Sequence, residues 1–204
     1  VSNTLVIGAG DSGKAIVCRY TNTRKTTTIT LKKAWSAAAV SDTASVLLKR
    51  GAATVDTLAS TANTTTETDT DGTPFTANVG ETLNLSETLG GGNVGQYNAT
   101  LACDNSVTVG GTGDFVVPAM ATNCTITNSR LPTLTLTKVS QGGTGLFTFT
   151  GDNGWVSQGI TTVTSGIGVV GSTQALSAAS TITTISETLA SGYSLTDVVC
   201  TGMG

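Results

Sequence analysis

The 204-residue chain contains no histidine, which removes the Ser-His-Asp and Cys-His arrangements of hydrolases and every Cys/His zinc site. It has no Gly-x-Ser-x-Gly elbow either. Charged residues make up 11% of the chain, where an average protein carries about 25%. The net charge is −3 and the few basic side chains are scattered, so nothing can neutralise a run of phosphates and nucleic acid is not an expected partner. No apolar run approaches the roughly 18–20 residues a membrane span requires. The amino end has no basic, hydrophobic, small-residue signal pattern, so either a signal has been removed or this is a piece of a longer chain. Three prolines are too few for a Pro-rich linker.

What the chain does have is threonine, glycine, serine, asparagine and valine. Thr and Val suit a pleated, half-buried surface and Gly suits tight turns, a bias that points to an all-β protein of many short strands. The four cysteines, Cys18, Cys103, Cys124 and Cys200, include no Cys-x-x-Cys pair and are read as two disulfides formed in an oxidising compartment. No metal site and no cofactor is expected. The stretch 61–73, TANTTTETDTDGT, lacks the spacing of a calcium loop despite Asp69 and Asp71, and is expected to be a solvated polar loop. Trp35 and Trp155 could form a sugar platform, but a tryptophan in such a chain is more often core.

Self-comparison reveals a repeat. Residues 15–33, AIVCRYTNTRKTTTITLKK, and 121–138, ATNCTITNSRLPTLTLTK, share Cys-x-x-Thr-Asn-[Thr/Ser]-Arg and then an alternating strand ending in Lys. A second pair, LNLSETLGGGNVGQYNATLAC ending at Cys103 and ITTISETLASGYSLTDVVC ending at Cys200, shares Ser-Glu-Thr-Leu, a Gly-containing turn, a Tyr and a Cys. Residues 25–130 contain each part once. Residues 131–204 contain all but the last hairpin and closing strand, and residues 1–24 carry those parts. The expected organisation is therefore a donor segment at 1–24, a complete β-sandwich at 25–130, and at 131–204 a second sandwich that lacks its last strand in cis.

Alternate residues of a strand share a face. Parity places Lys33 with Ile29 and Leu31, and Lys138 with Leu134 and Leu136. It groups Glu87 with Leu83, Leu85 and Leu89, and Glu187 with Ile185 and Leu189. It groups Asn128 with Cys124 and Ile126, and Asn22 with Cys18 and Tyr20. A lysine, a glutamate and an asparagine thus fall on otherwise apolar faces in both units, where a buried charge must be paired or neutralised.

These segments resemble the Cna protein B-type or SpaA-like domains, prealbumin-like β-sandwiches repeated along bacterial pili and surface adhesins. The resembling residues are the Leu-x-Leu-x-Lys strand from Leu134 to Lys138, Glu-Thr-Leu-Ala-Ser-Gly-Tyr-x-Leu from Glu187 to Leu195, and Thr-x-Thr-Asn from Thr125 to Asn128. Ala190-Ser191 stands where the family usually has Pro before Gly-Tyr. The resemblance implies two tandem prealbumin-like (Ig-like) sandwiches and a structural, extracellular role. It further implies a Lys–Asn amide (isopeptide) cross-link formed with loss of ammonia and catalysed by a neighbouring glutamate. Burial favours the uncharged forms of lysine and of carboxylic acids alike, so an amine nucleophile and an acid catalyst can coexist.

On that reading Lys33 is joined to Asn128 with Glu87 as catalyst, against the plainer reading of a snorkelling lysine with Glu87 as its ion-pair partner. Lys138 and Glu187 would act on Asn22. Cys103 and Cys124 close a hairpin, and Cys200 should pair with Cys18. The expected partner is another copy of the chain, joined head-to-tail by strand addition into a filament. A longer tandem array making the same bonds, or a chain closed on itself through residues 1–24, remain alternatives. Turnover of an external substrate is not expected; the runner-up is an adhesin module binding host or surface glycans or a host protein.

Overall fold

The computed structural model describes residues 4–202, and residues 1–3 and 203–204 of the two terminal segments lie outside the described residues. The protein is all-β, with one short 3-10 turn at Ala9–Asp11 and no α-helix among the described residues. The first unit comprises β1 (Thr26–Ser36), β2 (Thr43–Arg50), β3 (Ala53–Thr61), β4 (Glu67–Thr70), β5 (Phe75–Asn78), β6 (Thr82–Leu89), β7 (Tyr97–Cys103), β8 (Asp114–Val116) and β9 (Thr122–Arg130). One sheet runs β4-β1-β9-β7, with β5 pairing the start of β1; the other runs β3-β2-β6-β8. Strands β1 and β9 are parallel and the other pairs antiparallel.

Strand β1, TTTITLKKAWS, is rich in β-branched residues, and its even spacing buries Thr27, Ile29, Leu31, Lys33 and Trp35 in turn. Both sheets contribute to one core of Ile29, Leu31, Val46, Leu48, Ala77, Leu83, Leu85, Phe115, Val117, Cys124 and Ile126. Gly113, with φ +89°, lets the β8 hairpin approach β6 so closely that a Cβ there would run into the carbonyl of Leu85.

The second unit repeats this plan. Its strands are β10 (Thr133–Leu134), β11 (Thr137–Lys138), β12 (Leu146–Gly151), β13 (Gln158–Thr161), β14 (Val169–Val170), β15 (Gln174–Ala175) and β16 (Ile185–Thr188). Together β10 and β11 retrace β1: the first half pairs the later strand β15 and the second half the earlier strand β14, as β1 pairs β5 and then β4. Strand β12 lies between β13 and β16, as β2 lies between β3 and β6. Among the described residues no strand of the second unit occupies the places of β7, β8 and β9. Its core is correspondingly small, with Phe147, Phe149 and Ile160 buried and Leu134 and Leu136 only half-buried.

Three expectations need correction. The stretch 61–73 is not simply a loop, because Glu67–Thr70 forms β4 and pairs with Lys32–Trp35; the alternation of Thr with acidic residues puts polar groups on a strand's outer face. Leu89, expected inward, is 39% exposed: it is the last residue of β6, and the chain turns away at Gly90. The Tyr–Cys segment of the second unit, residues 193–200, forms no strand. In the first unit its counterpart β7 pairs with β9 alone, so without a β9 it has no partner for its backbone groups.

Residues 4–24 are exposed throughout, Asp11 alone excepted at half-buried, and they form no strand. They do not fold back onto the second unit: Cys18 and Cys200 are both exposed and unbonded. Among the described residues no helix is long and apolar enough to cross a membrane.

Candidate functional site

In the first unit all three side chains that parity grouped with apolar residues point inward. Lys33 projects from β1 into the core at 0% exposure, and Asn128 from β9 at 0%. The parallel register sets Lys33 opposite Ile126 and Trp35 opposite Asn128, so Lys33 and Asn128 share the inner face one pair apart. The Lys33 Nζ donates to the carbonyls of Ala34 at 3.2 Å and Ile126 at 3.4 Å. It lies 3.0 Å from Oε1 of Glu87, which reaches across from β6 in the facing sheet. That approach has the length of an ion pair without the angles of a hydrogen bond, and the oxygen has no other donor. The face of Trp35 lies 4.4 Å from the same Nζ. Burial pushes the Lys33 ammonium below its ordinary pKa, although the close carboxylate of Glu87 opposes the shift. Loss of the proton leaves an amine with a free lone pair.

Asn128 is the unusual member. Neither its Oδ1 nor its Nδ2 has a hydrogen-bond partner, although a buried polar group left unpaired costs about 1–3 kcal/mol. Native cores rarely tolerate this without a chemical reason. The carboxamide is thus buried without a hydrogen-bond partner, on the same inner face of the sheet as Lys33.

In the second unit Lys138 Nζ lies 2.6 Å from Oε1 of Glu187, and a ring again covers the amine, Phe147 at 4.4 Å. Here too the carboxyl oxygen lacks a hydrogen bond of proper angle. Among the described residues no asparagine of this unit stands where Asn128 stands in the first. Asn22, the expected mate, lies in the exposed amino-terminal segment. Of the cysteines, Cys103 and Cys124 are bonded across β7 and β9.

Residues 134–204 match a family described as a prealbumin-like fold domain of the SpaA type. The second unit is thus similar to SpaA-like domains. Its strands in the chain are those of the first unit up to the Ser-Glu-Thr-Leu strand, so the first unit, which lies outside the match, has the same plan and completes it. No curated protein matches the chain.

Sequence reasoning missed two polar networks. The Trp35 indole donates to Ser60 Oγ at 2.7 Å, and Ser60 donates to Asp69 at 2.6 Å, so a buried chain fixes the ring that covers Lys33. The buried Asp42 accepts from the Tyr97 hydroxyl at 2.6 Å and from the backbone of Val94 and Gly95, while Ala39 N donates to the same hydroxyl. Burial acts to raise the Asp42 pKa, but these donors outweigh it and hold the carboxyl below its ordinary value. Only the Tyr of the repeated motif hinted at this latch; its partners sit in loops without periodicity. Trp35 and Trp155 are both buried, so neither offers a platform for a sugar, and Asp69 is engaged by Ser60 instead of facing solvent.

Proposed function

We propose that the protein is a structural subunit of a bacterial extracellular filament or adhesin stalk, joined head-to-tail by strand complementation and locked by disulfides and Lys–Asn amides. One observation carries the proposal: the second unit has the lysine strand, the glutamate and the ring of the first but, among the described residues, no strand in the place of β9, while residues 15–24, with the sequence pattern of β9, stand exposed. An open sheet edge over a half-filled core is an unstable surface unless something covers it. The segment with the matching pattern is the natural occupant, and seated in another copy it would bring Asn22 to Lys138 and Cys18 to Cys200. The contact is heterologous, so each added copy presents a new open unit and growth continues.

Within the first unit the bare amide of Asn128 supports a cross-link to Lys33. The uncharged Nζ attacks Cγ of Asn128, Glu87 carries the proton released at nitrogen to the departing Nδ2, and ammonia leaves as the Nζ–Cγ bond replaces the Cγ–Nδ2 bond. The reaction happens once per molecule and turns over no external substrate. Intact-protein mass tests the cross-link, since each amide lowers the mass by one ammonia. Electrophoresis in denaturant tests the assembly. A ladder of subunit multiples that persists in reductant supports amide links between copies, one that collapses in reductant supports the disulfide alone, and a single band at the subunit mass refutes the assembly.

A further inference from the structure

We infer that the donor segment enters the second unit as an interior strand rather than as an added edge, and that residues 194–200 of the receiving copy become a strand only when it does. The inference rests on the head-to-tail reading above and specifies the partner surface. In the first unit the sheet order is β4-β1-β9-β7: β9 has β1 on one side, parallel, and β7 on the other, antiparallel. Strand β7 has no other neighbour in the sheet. The second unit reproduces the antiparallel partners of β1, with β15 and β14 in the places of β5 and β4, and among the described residues it lacks an ordered strand in the places of β9 and β7. The surface awaiting the donor therefore has two walls, β10–β11 on one side and an unformed strand on the other.

The occupant to which the geometry commits is residues 15–24 of a second copy. With Lys138 in the place of Lys33 and Cys200 in the place of Cys103, the register of the first unit sets Cys18 opposite both Leu136 and Cys200. It sets Tyr20 opposite Lys138 and Val198, and Asn22 opposite Ser140 and Thr196. Tyr20, 79% exposed in the single chain, then takes the place of Ile126, which is fully buried. Val198 takes the place of Leu101, which packs against the core. These apolar side chains have no contact in the single chain that would explain them, and inside a completed sheet they do.

Interior insertion makes assembly a coupled folding event, which hydrogen exchange of the full chain reads directly. In linked oligomers the amides of residues 194–200 should exchange at least about a hundredfold more slowly than in the subunit fraction of a Cys18→Ser/Asn22→Ala variant, because buried ladder hydrogen bonds open only with the unit. Amides of β12 report whether the unit itself is folded in both. A second variant, Val198→Pro, alters a residue that is exposed and outside any strand, so the single chain keeps its fold. A proline inside the new strand removes a donor and strains the ladder, and the covalent ladder should form at least about tenfold more slowly. If linked oligomers form while residues 194–200 keep the exchange rate of the subunit, or if Val198→Pro assembles at the unaltered rate, insertion is wrong and the donor merely adds to an edge. If no linked oligomer forms under any oxidising condition, the head-to-tail reading falls and the insertion with it.

Discussion

Replacing the buried pair by apolar groups of similar size, Lys33→Met with Glu87→Leu, separates the two chemical states of the first unit by the sign of its effect. If Lys33 is an ion-paired ammonium, the double variant removes two desolvated charges from the core, and exchanges of this kind are neutral or stabilising by about 1–4 kcal/mol. If Lys33 is already an amide with Asn128, no ion pair exists to relieve, and the variant opens a covalent loop. A constraint closing a loop on the order of 100 residues contributes about 4.7 kcal/mol in the chain-entropy account. The variant also restores a free, unpartnered Asn128 side chain, which costs about another 1–3 kcal/mol. The cross-linked reading therefore expects a loss of at least about 5 kcal/mol, equivalent to a fall of about 1–2 M in the guanidinium midpoint. The assay is equilibrium unfolding of a Trp155→Phe background, in which the remaining Trp35, buried against Tyr97 in the first unit, reports that unit alone. Intact mass of the background protein is read alongside. A double variant at least as stable as its parent, with a parent mass that retains the ammonia, refutes the cross-link.

Three further outcomes follow from the structure. Replacing Cys103 and Cys124 by alanine opens a loop of sequence separation 21 and should cost the first unit about 3 kcal/mol, read as a lower denaturant midpoint that reductant reproduces in the unaltered protein. Burial, with the adjacent charge of Asp71, raises the Asp56 pKa, although the Thr57 amide opposes this. A raised acid pKa means that the native state holds the proton more tightly, so its stabilising contribution is complete below the unfolded pKa of about 3.9 and is lost as pH rises through the folded value. Asp56→Asn should therefore be more stable than the parent at pH 7 and equal to it in acid, and a loss of stability at pH 7 would contradict this. Glu81 behaves oppositely: its bond to Arg50 at 2.7 Å helps hold its pKa down to about 2, so its contribution is present above the unfolded pKa of about 4.3 and fades as pH falls through the folded value. Glu81→Gln should remove that part of the acid sensitivity from the urea midpoint, and an unchanged pH profile would show that the pair is too solvent-screened to matter.

The repeat and the period of two made the sandwich and the inward placement of Lys33, Glu87 and Asn128 legible, because all three lie within regular strands whose inner faces are otherwise largely apolar. Parity failed at Leu89, where a strand ends and the alternating environment ends with it. It also gave no warning of β4, whose Thr and acidic residues look like a loop until pairing with β1 supplies the order. The Asp42–Tyr97 latch and the Trp35–Ser60–Asp69 chain depend on loops and on contacts between sheets, which leave no period in the sequence. The Tyr–Cys segment of the second unit has the same strand signature as β7, yet the two differ in structure. A strand's existence depends on a neighbour as well as on its own residues.

The same dependence sets what the proposed covalent links would do where these residues stand. Strands β1 and β9 are parallel and paired from Ile29–Thr122 to Ser36–Ser129, and the chain enters the first unit at the start of β1 and leaves it at the end of β9. Tension between those points loads the ladder in shear, all its hydrogen bonds together, which is the strongest way to pull a sheet but still a noncovalent one. An amide between Lys33 and Asn128 would sit near the exit end of that ladder, so force would pass along β1 from Thr26 to Lys33, through the side chains and out at Arg130. Everything from β2 to β8 would then lie outside the load path. In the second unit the corresponding ladder can only be made with a donor strand, so an amide between Lys138 and Asn22 would place the joint between copies on that same short path. On the proposed assembly the open unit and the closed one would be two stages of a single mechanical design, in which a strand must be seated before its bond can form.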